Sequence, residues 1–234
     1  MKRVPNAYFW QRKHLRQAMK GWWRNIFWLG VANPMPILID PLNTYIDPAV
    51  EIGEGTVVEP NVWIMGNTVI GKNCHIGFGS VIINSTLGNN VKVFGGKIED
   101  SRVDDWAEIG YTAQIKRTHF GAHSKMLHRG YLGDAEVGMG VNIGADVTTA
   151  NYDGTRKHAT VIGDDAFIGT GVNLVAPIII PEGMMIASGS TVTAKDPKEP
   201  WRLLIARAPA RLSRSKRVIK DKRGWHLENK EGAE

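Results

Sequence analysis

Three features of this 234-residue chain predict an all-β fold, a parallel β-helix built as a triangular prism. Aliphatic residues recur at every sixth position, at Ile46, Ile52, Val58, Ile64, Ile70, Ile76 and Ile82 and again at Ile162, Ile168, Leu174, Ile180, Ile186 and Val192. Glycine follows the aliphatic at Gly53, Gly71, Gly77, Gly163 and Gly169. Small or β-branched residues stand four positions after it at Val50, Thr56, Thr68, Cys74 and Ser80. One such unit cannot bury its aliphatic alone, so successive units wind into coils that stack their inward residues in columns, and three units per turn give a prism. A β-sandwich would instead alternate apolar and polar residues in strands spaced about 8–12 residues apart.

The elements follow in order. Leu15, Met19, Trp22, Ile26 and Leu29 are spaced alternately four and three apart, and the stripe stops at Gly30 ahead of Pro34 and Pro36. This predicts an amphipathic α-helix over residues 7–29, inside an N-terminal arm of residues 1–39. Packing on the prism or on sister helices is its plainest role; Trp on one face with Lys and Arg on the other also suits peripheral contact with a membrane. Residues 40–206 form the prism. In its middle Val103, Ile109, Ile115, Met126, Leu132 and Ile143 keep the period with one-residue slips, and a break near Asn151 marks a loop leaving the prism. Residues 207–234 carry no repeat and few aliphatics, and read as a basic arm that orders only on assembly or ligand binding.

Charge divides the chain the same way. Met1 to Ile39 holds seven Lys and Arg and no acid, Asp40 to Ala206 thirteen bases and nineteen acids, and Arg207 to Arg223 eight bases and one acid. Basic ends around an acidic middle suit a phosphorylated ligand or anionic lipid; no nucleic-acid-binding motif accompanies them, so nucleic acid is not an expected partner. The single cysteine, Cys74, excludes an internal disulfide and a cysteine-rich metal site. No apolar run reaches the roughly 18 residues a membrane span needs, and Arg and Lys interrupt any signal-peptide core in the first thirty residues. A cytoplasmic location is expected.

Six segments carry more than the repeat: KMLHRGYLGDAEVG (125–138), VNIGA (141–145), NYDGTRK (151–157), VIGDDAFIGT (161–170), NLVAPIII (173–180) and ARAPAR (206–211). In order and spacing they resemble the glucosamine-1-phosphate N-acetyltransferase half of the bifunctional bacterial enzymes that make UDP-N-acetylglucosamine. The likeness extends weakly upstream through residues 40–62 and covers roughly residues 31–225. It implies a left-handed β-helix, acetyl-CoA as acetyl donor, an amino-sugar phosphate as acceptor, no metal requirement, and a homotrimer with the site between subunits.

Acetyl transfer to an amine needs an unprotonated nucleophile, a base to take its proton, and a donor for the thioester oxygen. Histidine suits the base because it titrates near neutral pH. By resemblance His128 is that base; His75, His119, His123 and His158 share no such motif. The resemblance also implies that Lys116, Tyr131, Asn142 and Lys157 bind the sugar, with Lys116 on its phosphate. Ala145, Asn151, Tyr152, Thr170, Ser188 and Arg207 fall where the family binds acetyl-CoA.

The sequence departs from the family twice. Residues 1–40 contain no Gly-rich nucleotidyltransferase loop, so uridylyl transfer is not expected of this chain. The family's second phosphate-gripping residue, an arginine one coil before Lys116, is missing: counting back thirty residues from His128 reaches Ile98, with Lys97 or Arg102 as substitutes if the repeat slips. A nucleotide-linked or other amino sugar is the alternative acceptor, and a scaffold that has lost catalysis the non-enzymatic one. A zinc enzyme of the same architecture would use His123 and His128, but its third histidine fails, because whole coils upstream stand Leu87 and Asp105.

Overall fold

The computed structural model describes residues 35–196, 199–200, 202–205, 211–222 and 224–229; the expected helix over residues 7–29 and Arg207 lie outside these. The prism is there: short strands wind into a parallel solenoid of about nine turns with three faces. The first face stacks strands from Ile37–Leu38 to Arg202–Ile205, the second from Tyr45–Ile46 to Thr191–Val192, and the third from Glu51–Ile52 to Ile178–Ile180. The six-residue period exists because each short strand points one aliphatic inward and each corner turns the chain onto the next face. On the first face Val58, Ile76, Val93, Ile109, Met126, Ile143, Ile168 and Ile186 lie in register as one buried column.

The slips have a local cause. Trp63 pairs with Val81 eighteen residues on, but Val81 pairs with Lys97 after sixteen and Lys97 with Gln114 after seventeen. In these shorter coils the corner between the second and third faces turns on one left-handed residue: Asn84, Asp100, Arg117 and Asp134, with φ between 47° and 52°. Asn and Asp adopt this conformation readily; Arg does not. Just inside, Ser85, Ser101 and Thr118 form a hydroxyl ladder, each side-chain oxygen accepting the amide N–H of the coil above at 3.1, 3.1 and 3.4 Å. The tight corner therefore leaves those three coil-to-coil amides bonded, as a dry interior requires.

Two departures leave the regular winding. Thr148 pairs with Asn173, twenty-five residues on, so the expected break at Asn151 is a loop, pinched by a Tyr152–Lys157 bridge. The arm expected to order only on assembly or ligand binding carries, among its described residues, a hairpin, Arg211–Asp221 with Gly224–Asn229, which adds antiparallel to Arg202–Ile205 on the first face. Its tip returns to the prism. The Trp225 indole donates to the Asp165 carbonyl at 3.0 Å, its ring lies 5.7 Å from Phe167, and the Lys220 ammonium sits 4.5 Å from its centroid. No helix among the described residues is long and apolar enough to cross a membrane.

Candidate active site

The candidate residues fall at two corners of the prism. His128 is exposed on the bend between Lys125–Met126 and Gly130–Gly133, where the chain turns from the first face to the second. Register places Ile109, Met126, Ile143, Ile168 and Ile186 above one another, so the residues two positions later share one corner column: Tyr111, His128, Ala145, Thr170 and Ser188. The column is tightly stacked. The Ala145 carbonyl accepts the Gly171 N–H at 2.7 Å, and that of Thr170 the Gly189 N–H at 2.7 Å. Beneath His128, a Cβ on Gly110 would overlap the backbone of Leu127, so only glycine allows this coil to approach. Above it the three small side chains leave a shallow strip along the prism axis, rising about 4.8 Å per coil.

The second cluster lies at the corner between the second and third faces. Lys116 ends the strand Ala113–Lys116 and bonds through its ammonium to Glu99, its register neighbour in the coil below. The Lys97 ammonium reaches the other oxygen of Glu99 at 3.1 Å. Lys116 first, and Lys97 second, hold the Glu99 carboxyl below the usual carboxylate range. Arg117 grips Asp134 with two bonds, 2.6 and 2.9 Å, and Asp134 also accepts from the Asn151 amide. This pairing depresses the Asp134 carboxyl, chiefly through Arg117, and raises the guanidinium. Tyr131 extends toward the same place: a Cβ on Gly133 would collide with its hydroxyl and stand 2.6 Å from the Asn151 amide nitrogen. The loop closes the cluster. Asp153 accepts the Thr155 and Arg156 N–H groups at 2.8 Å each and His158 Nε2 at 2.6 Å, the Tyr152 hydroxyl donates to the Gly154 carbonyl, and Lys157 is exposed beside it.

The structure thus brings His128, Ala145, Thr170 and Ser188 together, and separately Lys116, Tyr131, Asn151, Tyr152 and Lys157. Asn142 belongs to neither. It stands outward on the first face, opposite Lys125 and Phe167, three residues before the corner at Ala145. Of the substitutes foreseen for the missing arginine, Lys97 sits on the same Glu99 carboxylate as Lys116, at 3.1 Å, whereas Arg102 pairs with Asp104 at 2.9 Å on the third face. Glu99, Arg117 and Asp134 were not anticipated. A count in coils of seventeen residues back from Lys116, instead of thirty back from His128, reaches Glu99 directly. His123, the other half of the zinc reading, stacks on Trp106 with ring centroids 6.2 Å apart, at the corner entering the first face. Among the described residues no group of three His, Cys, Asp or Glu side chains could hold a metal ion.

Comparison with known proteins agrees with this architecture. Residues 49–84 match the bacterial transferase hexapeptide family (six repeats). The fold resembles that of a UDP-N-acetylglucosamine acyltransferase from Bacteroides fragilis, with a TM-score of 0.65 and 23% identity over 75% of this chain and 73% of that one. A second, from Campylobacter jejuni, gives 0.51 at 18% identity over 75% and 73%. The chain carries the hexapeptide repeat of bacterial transferases and has the left-handed β-helix fold of these neighbours. Its relatives by sequence are bifunctional GlmU proteins: 44% identity to that of Alkaliphilus metalliredigens over 68% of this chain, and 42% to that of Geotalea uraniireducens over 82%. The chain spans less than half the length of these relatives, 39% and 44%.

Proposed function

We propose that this chain transfers an acetyl group from acetyl-CoA to the amine of an amino sugar, with His128 as general base. The observation that carries the reading is the corner column, in which an exposed histidine continues into Ala145, Thr170 and Ser188. Such a strip of small side chains lets an extended pantetheine arm lie against the backbone and bring its thioester down to the imidazole. The amine nitrogen attacks the thioester carbonyl while its proton passes to His128. The carbon–sulfur bond then breaks, and the departing thiolate takes the proton, giving an amide and free thiol. Arg207 and the basic residues after it are proposed to meet the nucleotide phosphates of the donor.

One copy does not complete this site. His128 and the Lys116–Asp134 cluster stand at opposite edges of the second face, roughly 15–20 Å apart at about 3.3 Å per residue. Symmetric association of three copies, setting the His128 corner of one against the loop corner of the next, is the proposed arrangement. Asn142, outward on the first face beside the His128 corner, would then join the acceptor site from the same copy as the base.

Glucosamine-1-phosphate is the acceptor that the resemblance of the sequence motifs implies. The Glu99–Lys116 pair favours a second reading, an amino sugar with no phosphate at that point. A thiol-release assay with acetyl-CoA and a panel of amino sugars tests the function, and release with none of them would leave the scaffold reading.

A further inference from the structure

We infer that Glu99 is a specificity-determining residue, selecting an amino sugar whose substituent beside Lys116 is uncharged and disfavouring a sugar phosphate. This rests on the proposed acetyl transfer for the identity of the ligand, and on charge geometry for the selection. The register sets Glu99 beneath Lys116 at one coil spacing, both pointing outward. Both Glu99 oxygens are occupied, one by Lys116 and one by Lys97 at 3.1 Å, and the carboxylate is only 21% exposed. It stands where an anionic substituent of the ligand would otherwise neutralise Lys116.

Beyond Lys97, which the same carboxylate holds, the neighbours offer a phosphate little else. Below Glu99 in the same outward column come Ile83 and Met65, which carry no charge. Arg117 is closed by its two-point bond to Asp134. Lys157 remains on the loop, and its field acts on the same Asp134. A phosphate approaching Lys116 therefore sits against a carboxylate or displaces it, and displacement leaves a partly buried charge holding Lys97 alone. A hydroxyl or glycosidic oxygen meets no such opposition. A hydroxyl bonds to the outer edge of the intact ion pair as donor to Glu99 or acceptor from Lys116, and a glycosidic oxygen as acceptor from Lys116.

The test uses the whole chain and Glu99→Gln, which keeps the shape and removes the charge. Steady-state rates are measured with glucosamine, its methyl glycoside and glucosamine-1-phosphate, and binding of glucosamine-1-phosphate and of inorganic phosphate is measured by calorimetry. The expected result is a parental kcat/KM higher for an uncharged acceptor than for the phosphate. In Glu99→Gln, phosphate binding should rise about tenfold or more, the scale of one charge-assisted contact, and the kcat/KM ratio of sugar phosphate to uncharged acceptor should rise by a similar factor. A parental preference for the phosphate, or a substitution that leaves phosphate binding unchanged, overturns the inference. Absence of thiol release with every acceptor defeats the acetyl-transfer reading instead, and the calorimetry still decides the claim about charge. The parental comparison of acceptors stands even if the variant does not fold.

Discussion

His128 is an outward side chain on a bend, and no other side chain of the described residues hydrogen-bonds its ring, so replacing it removes a proton acceptor and almost no packing. His128→Ala should lower turnover by about 10²–10⁴-fold while the thermal unfolding midpoint stays within a degree or two, measured by thiol release and circular dichroism. Near-parental turnover would take the base away from this position. Asp134 differs, because its carboxylate joins Arg117 and Asn151. Its folded pKa lies below the unfolded value of about 3.9, so the stabilisation is full above that value and is lost as pH falls through the folded one. Asp134→Asn keeps a residue that tolerates the left-handed corner. With screening of a partly exposed pair it should cost about 1 kcal/mol at pH 7, or a few degrees in Tm. The gap to the parent should close as pH drops below about 4, and a gap constant with pH would mean that the ion pair does not stabilise the fold.

At the level of strands and corners, close approach of neighbouring coils sets the position of His128. Gly110→Ala places a methyl group against backbone, not against a side chain that can swing away. The coil carrying Leu127 and His128 must shift. The expected outcome is destabilisation of about 1–3 kcal/mol with turnover reduced at least tenfold, and unfolding and rate measured together will show whether the two losses coincide. This layer also explains what the sequence revealed. The frame from Ile46 to Ile82 is legible because every step in it is six residues. It blurs from Leu87 because the left-handed corner at Asn84 shortens the step, hiding Val93, Ile98, Phe120 and Val137 from a fixed count. His128 stands out by its neighbours in sequence. Glu99 does not, since its place beside Lys116 depends on a coil of seventeen, and chain counting from the histidine misses it by one residue. The hairpin was invisible for another reason: its long first strand, Arg211–Asp221, is rich in Lys and Arg and lacks an apolar alternation to announce it.

For the whole molecule, a stack in which each coil touches only the coils above and below behaves as a chain of nearest-neighbour couplings. All the corner residues assigned to chemistry lie at or above Glu99, and the coils from Tyr45 to Val81 make no contribution to either cluster. They act as a removable spacer. Trp63 and Val81 occupy equivalent positions one coil apart, so excising residues 63–80 joins Val62 to Val81 and deletes one strand from each face without changing register elsewhere. The shortened protein should melt somewhat lower in a single transition, yet keep its turnover and donor affinity within a factor of two or three. A loss of activity with the fold preserved would show that association of the copies is held by this lower part. The prism is in that sense a modular rod, whose length can be edited in units of one coil while its reactive end is left alone.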